Sequence, residues 1–284
     1  MVIPHRRQWA RDTAPMSDLF RGNAGDMTAG HPTTRNLASA PDAPPAEPAG
    51  PISATYPDEA DQPADVVAYG PDIPTEAQYR LLGSVEDKRV LQLGCGSGAE
   101  SAALARQGAR VIAVDPSLNR IEAARRDIEQ AEVKVELHQS DLAELPFVRA
   151  DSIDVAVSVF ALANVDDVDR VFRQVHRVLH PECAFVFSLP HPVYAMLDPE
   201  AGDPPTVIRS YFDRGSRPWF TATEQGEERI RTIGELHTSL ARANFRVDAI
   251  IEAEPADGSP SRFWTPAMRW APATLIIRAR KEGI

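Results

Sequence analysis

Three glycines alternate with other residues in the run LGCGSG, at Gly94, Gly96 and Gly98. The apolar run VLQLGC (90–95) reads as a buried strand, and AESAALARQ (99–107) after the glycines reads as a helix. A chain that leaves a buried strand and starts a helix within a few residues must turn sharply. Glycine reaches the positive-φ conformations of such a turn without steric cost, and it lets a ligand approach the backbone. The first N–H groups of the helix then favour polar or anionic ligand atoms at the turn. About 20 residues further on, VIAVD (111–115) reads as a second buried strand. Its last residue, Asp115, stands where doubly wound α/β folds place a ribose-binding acid.

From about Val66 onward the chain keeps this strand–helix rhythm. Ser117 is placed to cap a helix that turns Leu118, Ile121, Ala124 and Ile128 to one side. VKVEL (133–137), DVAVSVF (154–160) and AFVFSL (184–189) read as strands. VDRVFRQVHRVL (168–179) reads as a helix with Val168, Val171, Phe172, Val175 and Leu179 on one face. The alternation predicts a parallel sheet with helices on both faces. A helix around Ile233 to Ala243 precedes RVDAII (246–251), and ATLIIRAR (273–280) follows without a helix-length segment between. Those last two strands are therefore expected to be antiparallel. Irregular stretches at about 190–230 and 253–272 carry Tyr194, Tyr211, Phe212, Trp219 and Phe220, and then Trp264 and Trp270. Such a set suits a lid over an apolar pocket or an auxiliary core.

Residues 1–65 read differently. They hold ten Pro, no Lys, and nine acids against five Arg, a net charge of −4. With few large apolar residues and no sustained period, the segment cannot offset its ordering entropy and is expected to be a disordered tail. Its Arg-rich start, with Arg6, Arg7 and Arg11, is followed by no apolar core and by Asp12, Asp18 and Asp26, so it reads as an untargeted tail. Residues 66–284 are expected to form one domain. The net charge of −11 speaks against a chain that grips nucleic acid or anionic membrane. No run approaches the roughly 18 apolar residues of a membrane helix. Cys95 and Cys183 are too few for a disulfide scaffold or a four-cysteine zinc site, and a reduced, cytoplasmic setting is expected. His176 and His180 lie four apart on a helix but lack a third ligand, so no metal is expected. No G-x-S-x-G elbow or G-x-x-x-x-G-K-[ST] loop occurs.

The spacing G-x-G-x-G differs from the dinucleotide G-x-G-x-x-G. VLQLGCGSG followed by VIAVDPS resembles the first two motifs of class I S-adenosylmethionine-dependent methyltransferases. QSDLAELPF (139–147) is similar to their third motif. DSIDVAVSVFALANVDDVDRVFRQVHRVLHPECAFVFS (151–188) is similar to the fourth strand, its helix and the turn into the fifth. The resemblance runs from about Val90 to Leu189. SYFDR (210–214) and RTIGELHTSLARANFRVDAIIEAEP (231–255) are also similar to an actinobacterial subgroup of small-molecule methyltransferases. The resemblance implies a Rossmann-like, mostly parallel, seven-stranded sheet with a reversed last strand, and S-adenosylmethionine as cofactor. It implies that Gly94, Cys95, Gly96 and Gly98 line the methionine end. Asp115 would hold the ribose with Pro116 and Ser117 beside it, Asp141 would face the adenine amino group, and Leu142 its ring. Phe160 would sit near the methionine portion. Two positions depart from the family pattern. Gln92 stands where the family has an acid, and Glu182 with Cys183 replaces a Gly-Gly turn.

The implied reaction is methyl transfer to an O, N or C nucleophile of a small molecule. His191 follows the fifth strand, where ligand crevices of open α/β sheets lie, and is the candidate general base. A loop histidine that only shapes the pocket is the alternative. Two other functions stay open: a nicotinamide-dependent oxidoreductase, against which the glycine spacing speaks, and a non-catalytic S-adenosylmethionine-binding regulator. The expected partner is a small-molecule substrate, with the oligomeric state open. Removing residues 1–65 should leave the melting temperature and cofactor affinity nearly unchanged. Thermal melts and calorimetry on the truncated chain check this, and a clear loss of either shows that the segment docks.

Overall fold

The computed structural model describes residues 65–198, 201–220, 225–256 and 263–283. The predicted tail lies outside the described residues except for Asp65. The strands β1 (Arg89–Leu93), β2 (Arg110–Asp115), β3 (Val135–Gln139), β4 (Ile153–Val159), β5 (Leu179–Pro190), β8 (Phe245–Glu252) and β9 (Thr274–Lys281) form one sheet. Their order is β3-β2-β1-β4-β5-β9-β8. The pairs from β3 across to β5 are parallel, whereas β9 is antiparallel to both of its neighbours. Helices α2 (Ala99–Arg106), α3 (Leu118–Gln130) and α4 (Val168–Val178) make the crossovers, and α5 (Ile233–Arg242) leads into β8. This is the doubly wound, mostly parallel seven-stranded architecture expected from the sequence.

Local chemistry sets the helix ends. The Ser117 hydroxyl accepts the Arg120 N–H at the start of α3, and Asp167 accepts the Arg170 N–H at the start of α4. Thr232 and Glu235 form a reciprocal capping box on α5. Gly108, at φ +88°, turns the chain after α2.

The two sheet faces carry separate cores. On one, Phe172 of α4 packs with Phe185 and Phe187 of β5, at ring separations of 6.1 and 5.6 Å, and Leu236 and Leu240 of α5 complete the layer. On the other, Ile121, Ala124 and Ile128 of α3 meet Val111 and Ala113 of β2. Leu118 does not join them: it is 52% exposed.

The segment before β1 belongs to this second core. Val67, Tyr69, Leu81, Leu82 and Val85 are buried there, around the one-turn helix α1 (Glu76–Tyr79). The buried Glu76 carboxylate folds the segment back on itself. It accepts the Tyr69 hydroxyl at 2.7 Å and the Leu81 and Leu82 N–H groups at 2.9 and 2.8 Å.

Several details differ from the sequence reading. β3 begins two residues later than VKVEL suggested, since Val133 still closes α3 by donating to Ile128 O. β5 starts at Leu179, directly after α4, and its register shifts opposite Ile153 to Val155. Glu182 in that stretch adopts φ +62°, the left-handed conformation that glycine takes without strain. A second, two-stranded sheet, β6 (Ser216–Phe220) with β7 (Gln225–Arg229), forms inside the first irregular stretch. Arg231 just after it donates to the carbonyls of Leu162 and Val165, tying this region to the turn after β4.

The aromatic residues of the irregular stretches divide. Tyr194 is buried, and its hydroxyl meets that of Thr265 at 2.8 Å, so the two stretches join at this point. Phe212 and Trp270 stay exposed. The side chains of Trp219 and Phe220 lie outside the described residues.

Burial separates the expected costs of two aromatic substitutions. Phe172→Ala should destabilise the domain by about 3–5 kcal/mol in chemical denaturation. Phe212→Ala, at a side chain 77% exposed, should stay within about 0.5 kcal/mol of the parent.

Candidate active site

Because β1, β2, β3, β4, β5 and β8 run in one direction, their carboxyl ends share one edge of the sheet. The glycine loop follows β1, Asp115 ends β2, and Asp141 follows β3. Phe160 follows β4, His191 follows β5, and Glu252 ends β8. All but Glu252 were singled out from the sequence. In a doubly wound sheet this edge, at the strand-order reversal between β1 and β4, is where ligands bind.

The loop needs its glycines. Gly94, Gly96 and Gly98 have φ of +81°, +51° and +94°. A Cβ on Gly94 would overlap that of Ala161, and one on Gly98 would come within 2.9 Å of Ala124 Cα. The loop is thus pressed against the turn after β4 and against α3.

Asp115 holds this loop from below. It is fully buried, and its carboxylate accepts the Cys95 N–H at 3.1 Å and the Ser117 N–H at 2.9 Å. Burial raises its pKa above the ordinary carboxylate value, opposed by the Ser117 amide, the Arg120 charge and the loop amides. An ionised carboxylate offers about four acceptor positions, more than the Cys95 and Ser117 amides occupy.

Gln92 is also buried. Its carbonyl oxygen accepts the Ser101 hydroxyl, and its amide donates to Gly94 O at 3.4 Å. The neutral side chain at this position therefore braces the loop through hydrogen bonds rather than charge. Cys95 is buried, and burial together with the nearby Asp115 charge pushes its thiol far above its ordinary pKa. It lines the loop as a neutral thiol.

The other expected contacts have clear settings. Pro116 and Ser117 continue directly from Asp115, and the Pro116 carbonyl accepts the Gln139 amide at 3.4 Å. Asp141 is exposed and accepts the Ala143 N–H at 2.8 Å, which fixes the turn that buries Leu142. Phe160 is fully buried at φ +55°, its N–H donating to Ser188 O at 3.1 Å.

His191 has a different environment from that of an exposed base. It is fully buried. Its Nδ1 accepts the Val193 N–H at 3.2 Å, and its Nε2 lies 3.1 Å from Glu252 Oε1. With Nδ1 as an acceptor, the neutral ring carries its proton on Nε2 and donates it to Glu252. Both nitrogens are engaged. Burial lowers the His191 pKa, opposed by the Glu252 carboxylate.

Sequence reasoning missed three polar groups at this edge. Glu252 is one. The Ser188 and Thr274 hydroxyls are the others: both are buried and lack a hydrogen-bond partner, near the carboxyl end of β5 and the facing start of β9. Hydroxyls inside apolar strand text carry no sequence signal. An acid ending a strand did offer one. Among the described residues, no group of three or more His, Cys, Asp or Glu is placed to hold a metal ion, and no helix is long and apolar enough to cross a membrane.

Comparison with known proteins agrees with this geometry. Residues 91–187 match the sequence model of a family described as "Methyltransferase domain". A demethylmenaquinone methyltransferase of Clavibacter sepedonicus is 37% identical over 105 residues, which are 37% of this chain and 42% of that protein. A ubiquinone biosynthesis O-methyltransferase of Azorhizobium caulinodans is 25% identical over 171 residues, 60% of this chain and 64% of that protein. These matches span less than two thirds of either relative. The crystal structure of an S-adenosylmethionine-dependent methyltransferase from Mesorhizobium loti superposes with a TM-score of 0.59 at 29% identity, covering 72% of this chain and 95% of that one. Residues 91–187 thus resemble a methyltransferase domain, and the fold is shared with a solved S-adenosylmethionine-dependent methyltransferase.

Two measurements probe the buried groups. Asp115→Asn keeps one acceptor oxygen for two buried N–H groups, so it should cost about 1–3 kcal/mol in denaturant unfolding. For His191, the folded pKa lies below the unfolded value of about 6.5, so the unfolded state binds more protons as the pH falls. Its contribution to stability is present above about pH 6.5 and is lost as the pH drops towards the folded value. His176, whose pKa burial also lowers, acts in the same direction. Melting curves from pH 8 to pH 5 should therefore fall less steeply for His191→Gln than for the parent.

Proposed function

We propose that this chain transfers the methyl group of S-adenosylmethionine to an oxygen, nitrogen or carbon nucleophile of a small molecule. The observation that carries the reading is the convergence of the glycine loop, Asp115, Asp141 and Phe160 on one sheet edge. The methyl donor is a second substrate of the reaction, and it supplies an activated methyl on a sulfonium.

The residues present suit that donor. The glycine loop presents backbone without side chains to the methionine end, and Cβ atoms on Gly94 and Gly98 would collide with Ala161 and Ala124. Asp115 accepts ribose hydroxyls, with Pro116 and Ser117 beside it. Asp141 accepts the adenine amino group, and Leu142 lies against the ring. Phe160 closes the methionine portion on the β4 side.

The acceptor lies over the ends of β5 and β8, where the Ser188 hydroxyl is buried without a partner, while that of Thr274 packs against Gly70. Buried polar groups without partners cost stability, and a ligand hydroxyl or carbonyl would relieve that cost. The protein's contribution to rate is alignment of the nucleophile and exclusion of water. Names of the curated relatives, a demethylmenaquinone methyltransferase and ubiquinone biosynthesis O-methyltransferases, favour acceptors of a quinone type as the first compounds to test. The similarity of 210–214 and 231–255 to an actinobacterial small-molecule subgroup points the same way in size. A reduced, cytoplasmic setting suits the buried free thiol of Cys95.

Incubation of the full chain with methyl-labelled S-adenosylmethionine and a desalted metabolite extract should transfer label to a small-molecule fraction. Binding without any transfer would favour the non-catalytic regulator instead. Asp115→Ala should weaken S-adenosylmethionine binding at least tenfold by calorimetry, since each hydrogen bond to a charged group contributes about 1.5–3 kcal/mol.

A further inference from the structure

We infer that Glu252, rather than His191, is the proton acceptor that faces the methyl-acceptor substrate, and that His191 is the residue that positions it. The inference rests on the methyl-transfer reading above.

The geometry separates the two roles. A general base needs a free lone pair within reach of the proton it removes. His191 offers none: the ring is fully buried, Nδ1 receives the Val193 N–H, and Nε2 carries the proton given to Glu252. Glu252 has the complementary properties. Its side chain is 57% exposed, one oxygen is held by the histidine, and a carboxylate has further acceptor capacity on both oxygens.

Topology explains why this acid belongs to the crevice. β8 is the outermost strand of the sheet beyond β9, yet it runs parallel to β5 because β9 is antiparallel to both. The carboxyl end of β8 therefore reaches the same edge as the glycine loop. The 3.1 Å contact then brings the Glu252 carboxylate across the start of β9 to the end of β5. His191 is itself fixed there by its N–H to Ala273 O, and by its carbonyl, which accepts the Ala195 N–H. The orphaned Thr274 hydroxyl begins the strand between them.

The chemistry balances simply. As a lone pair on the acceptor oxygen or nitrogen forms its bond to the methyl carbon, the carbon–sulfur bond breaks and its electron pair stays on sulfur, leaving a neutral thioether. The acceptor's O–H or N–H proton passes to Glu252, which becomes a neutral acid and then returns the proton to solvent through its exposed side. The charge of the sulfonium and that of the carboxylate disappear together. A neutral histidine donating to the carboxylate keeps it in place without adding a positive charge that would compete with the substrate proton.

Two measurements on the full chain decide this. Nitrogen-15 NMR of the histidine rings at pH 7 should show His191 neutral and protonated on Nε2. Label transfer from methyl-labelled S-adenosylmethionine to the same metabolite extract gives the second readout. Glu252→Gln should slow the initial rate by roughly 10²–10⁴-fold with unchanged binding of S-adenosylmethionine. His191→Gln keeps an amide N–H near the place of Nε2 and should retain the rate within about tenfold, whereas His191→Leu should fall towards Glu252→Gln. An imidazolium or an Nδ1-protonated ring, a Glu252→Gln rate equal to wild type, or equal losses in His191→Gln and His191→Leu each overturn the inference. No transfer by the wild-type chain overturns the methyl-transfer reading and the base with it. That result is distinct from transfer by wild type and Glu252→Gln alike, which removes Glu252 alone.

Discussion

The pair of hydrogen bonds from the Cys95 and Ser117 amides to the buried Asp115 carboxylate is the contact on which the rest of the site depends. It joins the loop after β1 to the end of β2 and thereby fixes where α2 and α3 begin. A buried carboxylate is tolerated only when hydrogen bonds replace its lost hydration. The loop supplies those bonds, and the carboxylate in turn holds three glycines in positive-φ conformations that an unsupported loop would leave. Gln92 reinforces the same loop from β1 by bonding to Ser101 and Gly94. The neutral amide thus braces the loop without a charge.

Around this centre the fold divides its labour between two faces. The face covered by α4 and α5 is a conventional aromatic and aliphatic core. The face covered by α2 and α3 also receives the segment from Val67 to Val85, folded by the Glu76 carboxylate. That segment reaches the start of β9, where Gly70 comes close against Thr274. The amino-terminal part of the described chain consequently packs against the start of β9 as well as in the core.

The legibility of the site followed the range of the interactions. Glycines, the acid at the end of β2 and the turn at Asp141 are local features, each defined by a few neighbouring residues and by a strand end. His191 was visible as a position, yet its role turned on Glu252, 61 residues away in sequence and two strands away in the sheet. Nothing in either segment announces the other. The β6–β7 pair and the Tyr194–Thr265 contact have the same character, because irregular segments take their shape from what they pack against. The buried Tyr69 and Glu76 went unread for a related reason: a short segment with one carboxylate gives no periodic signal.

The sequence by itself determined the alternation of strands and helices, the glycine turn after β1, and the antiparallel closing strands. These follow from hydrophobic period, capping residues and glycine geometry, all of which act within a few residues. Tertiary structure alone decided which side chains meet at the crevice. Strand order brought the carboxyl end of β8 beside that of β5, burial took both nitrogens of His191 out of reach, and exposure left Glu252 free to act. Side-chain direction, desolvation and hydrogen-bond partners belong to the packed molecule, and they distinguish a base from the residue that holds it.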